Sequence, residues 1–350
     1  MNRLERAKMN LLTYGVAVDP EVVREVTQGG QLPLVFNEYA TTSGLSLDIG
    51  NGAFYVNAPL SRTAGNGSAV LRRSNDGLAV LVGNDRLEAR ILPLPGYLDR
   101  TDAKGRRVAD SIFTVGDRAR LSPITGCSMA CSFCDLAGLK YSKRPVEQLV
   151  EALMIASETE DLRHVLISGG TPSRRDYGFF DLACAEICKH SALPVEVMMP
   201  PRASDPWFVD RLVDVGVSGF AINLETSGIG EVSDLTRQKA SLGRSAYEQA
   251  ISRAVRRLGR QGAVRSLVVV GLEPPGHSLE AIEWLASLGC DPVISPFRPA
   301  VGTPLEQSAP CSEVMLTQVF EAAVEIVSQK GVALGPRCVV CQNNVMAPVG

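Results

Sequence analysis

Histidine is scarce: the 350 residues hold three, at positions 164, 190 and 277, and none sits in a His-x-Glu or His-Glu-x-x-His arrangement. That leaves zinc hydrolysis and zinc-dependent deamination without a constellation. A Gly-x-x-x-x-Gly-Lys-Ser/Thr phosphate loop is also missing. Neither sign of charge is in excess, since 35 basic against 38 acidic residues leave a net −3. Such a balance gives no footprint for nucleic acid or an anionic membrane and favours a small-molecule or peptide substrate. No apolar run approaches the roughly 20 residues that span a bilayer, and Met1-Asn2-Arg3-Leu4-Glu5-Arg6 lacks the apolar centre of a secretion signal. A cytoplasmic location is expected. Cysteine, by contrast, is not scarce. Nine residues, an odd number, with CxxxCxxC and CxxC spacings, fit a reducing compartment in which thiols hold metals rather than disulfides.

The chain divides by pattern. Within residues 1–115, residues 3–12 and 20–26 read as short helices, the second with Asp19 as N-cap and Pro20 at its first position. From residue 32 to 98, short alternating runs are broken by Gly50-Asn51-Gly52, Gly65-Asn66-Gly67 and Asn75-Asp76-Gly77, which predicts a small antiparallel sheet with tight turns. This segment is either a substrate lid or partner surface, or a structural cap. The charged stretch 99–108 is an exposed connection and marks the boundary. From 116 to 350, apolar runs of strand length (120–124, 164–168, 195–199, 219–224, 266–270, 292–296 and 332–334) alternate with helical patterns (146–157, 177–189, 206–215, 245–261, 279–288 and 313–329). The alternation predicts an α/β fold, with βα units around a parallel sheet. Six units and a seventh strand make a partial, open (β/α)6 barrel, TIM-like but incomplete. In such barrels functional residues collect at the carboxyl ends of the strands.

At the end of the first strand stands Cys127-Ser128-Met129-Ala130-Cys131-Ser132-Phe133-Cys134. A cubane of four irons normally takes four cysteines, so three leave one iron open; a structural zinc site needs four ligands, and no fourth lies near. The CxxxCxxC spacing with an aromatic before the third cysteine resembles the radical SAM superfamily. The resemblance implies that Cys127, Cys131 and Cys134 hold a [4Fe-4S] cluster, that S-adenosylmethionine (SAM) chelates the open iron, and that a reducing partner such as flavodoxin or ferredoxin drives its cleavage to a 5′-deoxyadenosyl radical.

Further motifs fall at strand ends. Ser168-Gly169-Gly170-Thr171-Pro172 matches the place of a Gly-Gly-Glu-like motif whose backbone receives the SAM amino group, with Thr171 in place of the acid. Asn223-Leu224-Glu225-Thr226-Ser227 resembles the Asn-Leu-Asp-Thr-Ser run of biotin synthases, which implies that Asn223 and Glu225 hold SAM, the acid through the ribose hydroxyls. Strand alternation points both to one side. Among Arg237, Lys239 and Arg244, the last is the expected partner of the SAM carboxylate. Val268 to Gly271 resembles an apolar strip beside the adenine, with Phe133 flanking the same ring, and Gly302-Thr303-Pro304-Leu305 is also found in biotin synthase-like members. The resemblance covers about two thirds of the chain and omits the first 115 residues.

In the run Arg337-Cys338-Val339-Val340-Cys341, Arg337 falls at a place similar to that of an arginine that ligates a second cluster in biotin synthases, but the cluster cysteines of that family have no clear match. Placed after the expected seventh strand, the run predicts a site at the cavity mouth, where Cys290 and Cys311 are the candidates for further ligands. Three readings stand: an auxiliary iron–sulfur cluster, a reactive thiol pair acting on substrate, or a structural metal clip. For the whole chain, hydrogen abstraction is weighed against two rivals. One is transfer of a 3-amino-3-carboxypropyl group to an acceptor held by the C-terminal thiols, and the other is a non-catalytic metal-binding interaction protein.

Overall fold

Residues Val264–Val270 are buried almost throughout, as a parallel strand covered on both faces must be. They belong to a seven-stranded sheet. The structure is a computed structural model describing residues 1–26, 34–35, 44–60, 69–228 and 234–350.

The first segment opens with α1 (Arg3–Tyr14), whose first turn is closed by a reciprocal Asn2 and Glu5 capping box. There follow β1 (Val16–Val18) and α2 (Pro20–Val26), the latter capped by Asp19, whose carboxylate accepts from the Glu21 N–H at 2.9 Å. Strands β2 (Leu34–Val35), β3 (Gly44–Ile49), β4 (Phe54–Ala58), β5 (Ala69–Ser74), β6 (Gly77–Val82) and β7 (Asp85–Ile91) complete a largely antiparallel sheet in which, among the described residues, only the β1–β5 strand pairing is parallel. The turns expected at 50–52 and 75–77 join β3 to β4 and β5 to β6. The turn expected at Gly65-Asn66-Gly67 lies outside the described residues.

The second sheet begins with β8 (Ile112–Val115), antiparallel to β9 (Arg118–Leu121). The division expected at 115/116 falls in the hairpin between these two strands, so β8 belongs to the second sheet. A two-stranded ribbon, β10 (Ile124–Thr125) with β11 (Ser142–Lys143), brackets the cysteine loop. After it the chain alternates: α3 (Val146–Thr159), β12 (His164–Ile167), α4 (Tyr177–His190), β13 (Val195–Met198), α5 (Phe208–Asp214), β14 (Val217–Ala221), α6 (Arg237–Ala240), α7 (Arg244–Leu258), β15 (Val264–Val270), α8 (Pro275–Ser287), β16 (Asp291–Pro296) and α9 (Glu313–Lys330). Strands β9, β12, β13, β14, β15 and β16 are parallel and adjacent in that order. This is a partial (β/α)6 barrel. Among the described residues no helix is long and apolar enough to cross a membrane.

The expected seventh strand at 332–334 does not form. Helix α9 ends at Gly331 in the left-handed conformation, and the chain arrives at the amino end of β16, where the Gly335 N–H donates to the Pro292 carbonyl at 2.7 Å. With no strand to carry it back along the barrel, residues 335–342 stay beneath the strands. Residue 346 then makes one antiparallel bridge to Ile294. The seventh strand of the sheet is β8, at the opposite edge.

Candidate functional site: one cavity with two cysteine clusters

The cysteine loop is hung between two neighbours. On one side the Ser128 N–H donates to the Thr171 carbonyl at 3.0 Å, and the Ser128 hydroxyl donates to the Pro172 carbonyl at 3.1 Å. On the other, the Ser132 N–H donates to the Leu235 carbonyl at 2.8 Å, and the Ala130 N–H to Gln238 Oε1 at 3.1 Å. Gly170 lies so close beneath the loop that a Cβ there would run into the Gly126 carbonyl. Gly169, with φ 109°, holds a backbone conformation that side chains disfavour. The Gly-Gly pair therefore seats the cysteine loop.

Cys127 Sγ accepts two backbone N–H groups, from Met129 at 3.3 Å and Thr171 at 3.2 Å. Cys131 and Cys134 line the same cavity, and burial pushes both thiols up to about 12. The cavity has a volume of about 280 Å³ and runs between the two ends of the barrel, with Phe133, Gly169, Thr171, Asn223 and Glu225 also in its wall.

Glu225 reaches the cavity differently from the strand alternation expected. β14 ends at Ala221, and Glu225 has φ 70°, a left-handed backbone that is costly for a non-glycine residue. It is held there by its own backbone, which accepts from Val269 at 2.8 Å and donates to Leu267 at 2.7 Å. Asn223 Oδ1 accepts from the Leu267 N–H at 3.2 Å. Lys239 Nζ lies 2.5 Å from Glu225 Oε1, each side chain only 11% exposed. Burial works against that ammonium, but Glu225 outweighs it and holds the group above its ordinary range. Glu225 Oε2 in turn lies 4.0 Å from Cys131 Sγ.

Arg244 is a correction. It pairs with Glu280 at 2.9 Å, stacks over Trp284 at 4.5 Å and is not in the cavity wall. As the first residue of α7 it faces α8. Of Arg237, Lys239 and Arg244, Lys239 is the one in the wall. Gly271, expected beside the adenine, packs against Cys311 and Phe297, while Val269 and Phe297 reach the cavity.

Cys338 and Cys341 are corrected in position. They lie at the amino ends of the strands, opposite the Cys127 loop, because residues 335–342 turn there before the chain runs back beside β16 at Ser295 and Ile294. The Cys341 thiol facing Cys338 holds the Cys338 sulfur down, against burial. Their neighbour is His164, the first residue of β12, whose Nε2 is 3.1 Å from Cys341 Sγ. The expected co-ligands are elsewhere: Cys290 is buried against the Asp291 carbonyl at 3.9 Å and Cys311 against Gly271.

Sequence reasoning missed the arginines. Arg118, Arg120, Arg265 and Arg298 all line the cavity. The first two are separated by one residue in β9, and that period of two was a readable signal. Arg265 pairs with Glu196 at 2.7 Å, above Gly219, whose missing side chain leaves room for Glu196. Arg298, buried, donates to the Asn57 carbonyl at 3.2 Å and Asn344 Oδ1 at 3.1 Å. Burial pushes it down to about 10.

Residues 121–275 match the family model described as Radical SAM superfamily. The chain is similar to the heme chaperone HemW of Lactococcus lactis subsp. lactis (strain IL1403), 24% identical over 160 residues, 45% of this chain and 41% of that protein. Among solved structures, HydG, a maturase of the [FeFe]-hydrogenase, is 14% identical, with TM-score 0.48, over 61% of this chain and 50% of that one. Methylornithine synthase (PylB) is 17% identical, with TM-score 0.45, over 69% and 82%. The chain thus spans about two fifths of HemW and half of HydG.

Proposed function

We propose that this chain, which through residues 121–275 belongs to the radical SAM superfamily, holds a [4Fe-4S] cluster on Cys127, Cys131 and Cys134, binds SAM at the open iron, and abstracts hydrogen from a small anionic molecule. One observation carries the reading: the three thiols share a cavity wall with the Gly169–Thr171 turn, Asn223 and Glu225. The donor set fits the group. Cys127 already accepts two N–H bonds, and Ser168 Oγ, in the wall, is buried with no hydrogen-bond partner among the described residues.

When bound and reduced by an external electron donor, the cluster and SAM supply a 5′-deoxyadenosyl radical. The chain's own part is to bind and orient. Gly169, Gly170 and Thr171 offer backbone to the amino group of SAM, Asn223 and Glu225 offer acceptors to its nucleoside, and Phe133 offers a flat apolar face. Lys239 takes the role expected of Arg244, a buried cation for the SAM carboxylate. Arg298 supports an anionic substrate: it donates to two neutral acceptors, the Asn57 carbonyl and Asn344 Oδ1, and a desolvated guanidinium gains most from an anion. Arg118 and Arg120 add to the same field.

The test is anaerobic reconstitution with iron and sulfide, reduction, and analysis of products formed from SAM. About four irons per chain and release of 5′-deoxyadenosine are expected, both lost in Cys131→Ala. Formation of 5′-methylthioadenosine instead would transfer the case to aminocarboxypropyl chemistry. An intact, reduced cluster that leaves SAM whole would favour the non-catalytic reading.

A further inference from the structure

At the far end of the cavity, two segments distant in sequence bring three soft or borderline ligands together. His164 Nε2, Cys338 Sγ and Cys341 Sγ all lie within 4.8 Å of one another, the one such trio of His, Cys, Asp and Glu among the described residues. The turn that gathers the thiols is built for it. The Cys341 N–H donates to the Cys338 carbonyl at 3.1 Å, and Gln342 Nε2 clips back onto the Pro336 carbonyl at 2.8 Å. Val340 is wedged against Gly116, where a Cβ would collide with it, and Asp117 next to Gly116 pairs with Arg163. Arg163 Nη2 also lies 3.3 Å from Cys338 Sγ, an N–H donor aimed at sulfur from the residue preceding His164.

We infer that His164, Cys338 and Cys341 form a second metal site, which holds a single zinc-type divalent ion with its fourth position open to the cavity. Ligands about 2.0 Å (N) and about 2.3 Å (S) from one tetrahedral ion stand roughly 3.5–3.8 Å apart, which the gathered trio can satisfy with small side-chain shifts. Cysteines on separate irons of a cubane are held farther apart, because each Fe–S bond points outward. Two thiolates and one imidazole suit zinc better than magnesium or calcium. Three protein ligands leave one position for water or substrate. Cys341 is in the cavity wall, so that position opens toward the same space as the Cys127 loop. Arg163 acts as the outer partner that orients Cys338 and balances its charge.

The inference does not depend on SAM chemistry, and its test is read separately. Full-length protein with its iron reconstituted is assayed for zinc per chain, then exchanged and titrated with Co²⁺ against a chelator. One bound ion per chain is expected, with thiolate-to-cobalt charge transfer and the d–d bands of a tetrahedral site. Cys338→Ser/Cys341→Ser should abolish these bands. His164→Cys should keep the ion and strengthen the charge transfer, which a merely structural histidine would not do. Arg163→Ala should weaken binding by about 10- to 100-fold. Failure of the intact protein to hold more Co²⁺ than the double variant would overturn the site. So would extra iron and sulfide that disappear in that variant, since the thiols would then hold a cluster. Iron at the Cys127 loop, counted in the same samples, reports independently on the proposed function.

Discussion

Gly170 shows how much one residue can decide. Its position leaves no space for a Cβ beside the Gly126 carbonyl, and the Cys127 sulfur depends on the Thr171 N–H next door. Gly170→Ala should therefore shift the cysteine loop by about the radius of a methyl group and lower iron loading at least severalfold, while the barrel, whose strands it does not enter, keeps its far-UV circular dichroism. Normal iron content in the variant would show that the loop tolerates the shift. Lys239 and Glu225 make the second residue-scale case. Lys239→Met leaves a carboxylate only 11% exposed without its cation, a costly arrangement. We expect weaker SAM binding by about tenfold or more, measured by equilibrium binding to the reconstituted protein, with Arg244→Met close to the parent. Equal losses in both would return the carboxylate partner to Arg244.

At the scale of elements, α1 carries a liability of its own. Lys8 is buried with no hydrogen-bond partner for Nζ among the described residues, 6.0 Å above the Phe54 ring, and burial lowers it from 10.5 to about 7. The unfolded chain therefore binds more protons than the folded one between about pH 7 and pH 10.5. Stability must rise with pH across that window, as the penalty for the buried charge is relieved. Urea melts at several pH values should show this rise, and Lys8→Met should flatten it and raise stability at pH 7 by roughly 1–3 kcal/mol. A parent slope that survives the substitution would assign it to other groups.

The whole molecule is closed by its last residues. Val345, Met346, Ala347 and Val349 are buried, the Met346 N–H donates to Ile294 at 2.8 Å, and Asn2 Nδ2 donates to the Val349 carbonyl at 2.7 Å. The tail thus joins β16 to α1 and spans both sheets. Asn57 of β4 adds another link, donating through its N–H to the Asn343 carbonyl at 2.6 Å. Deleting residues 343–350 leaves Cys338 and Cys341 in place but removes these contacts. With about 1.5–3 kcal/mol for each large buried side chain, a loss on the order of 5 kcal/mol is expected, seen as a lower urea midpoint for both sheets together. A first segment that keeps its midpoint while the barrel loses its own would show that the tail does not couple them.

The sequence alone was enough for the (β/α)6 order and for most helix and strand positions, because the apolar runs of the barrel strands are buried on both faces and local alternation encodes that burial. It was also enough to pick out the Cys127, Cys131 and Cys134 loop, whose spacing is local. What it did not contain was where the chain goes when a strand fails to form. The run at 332–334 looks like a strand, but only the packing of α9 and the tail decides that it stays at the amino end of β16. That choice moved Cys338 and Cys341 from the expected mouth to the floor. It also gave them His164 for a neighbour, a histidine that carried no signal in a chain where all three stand apart. The same dependence on distant contacts explains Arg244 and Lys239. Both are cations near a helix start, and only the docking of α7 against α8 turns one outward and leaves the other facing Glu225.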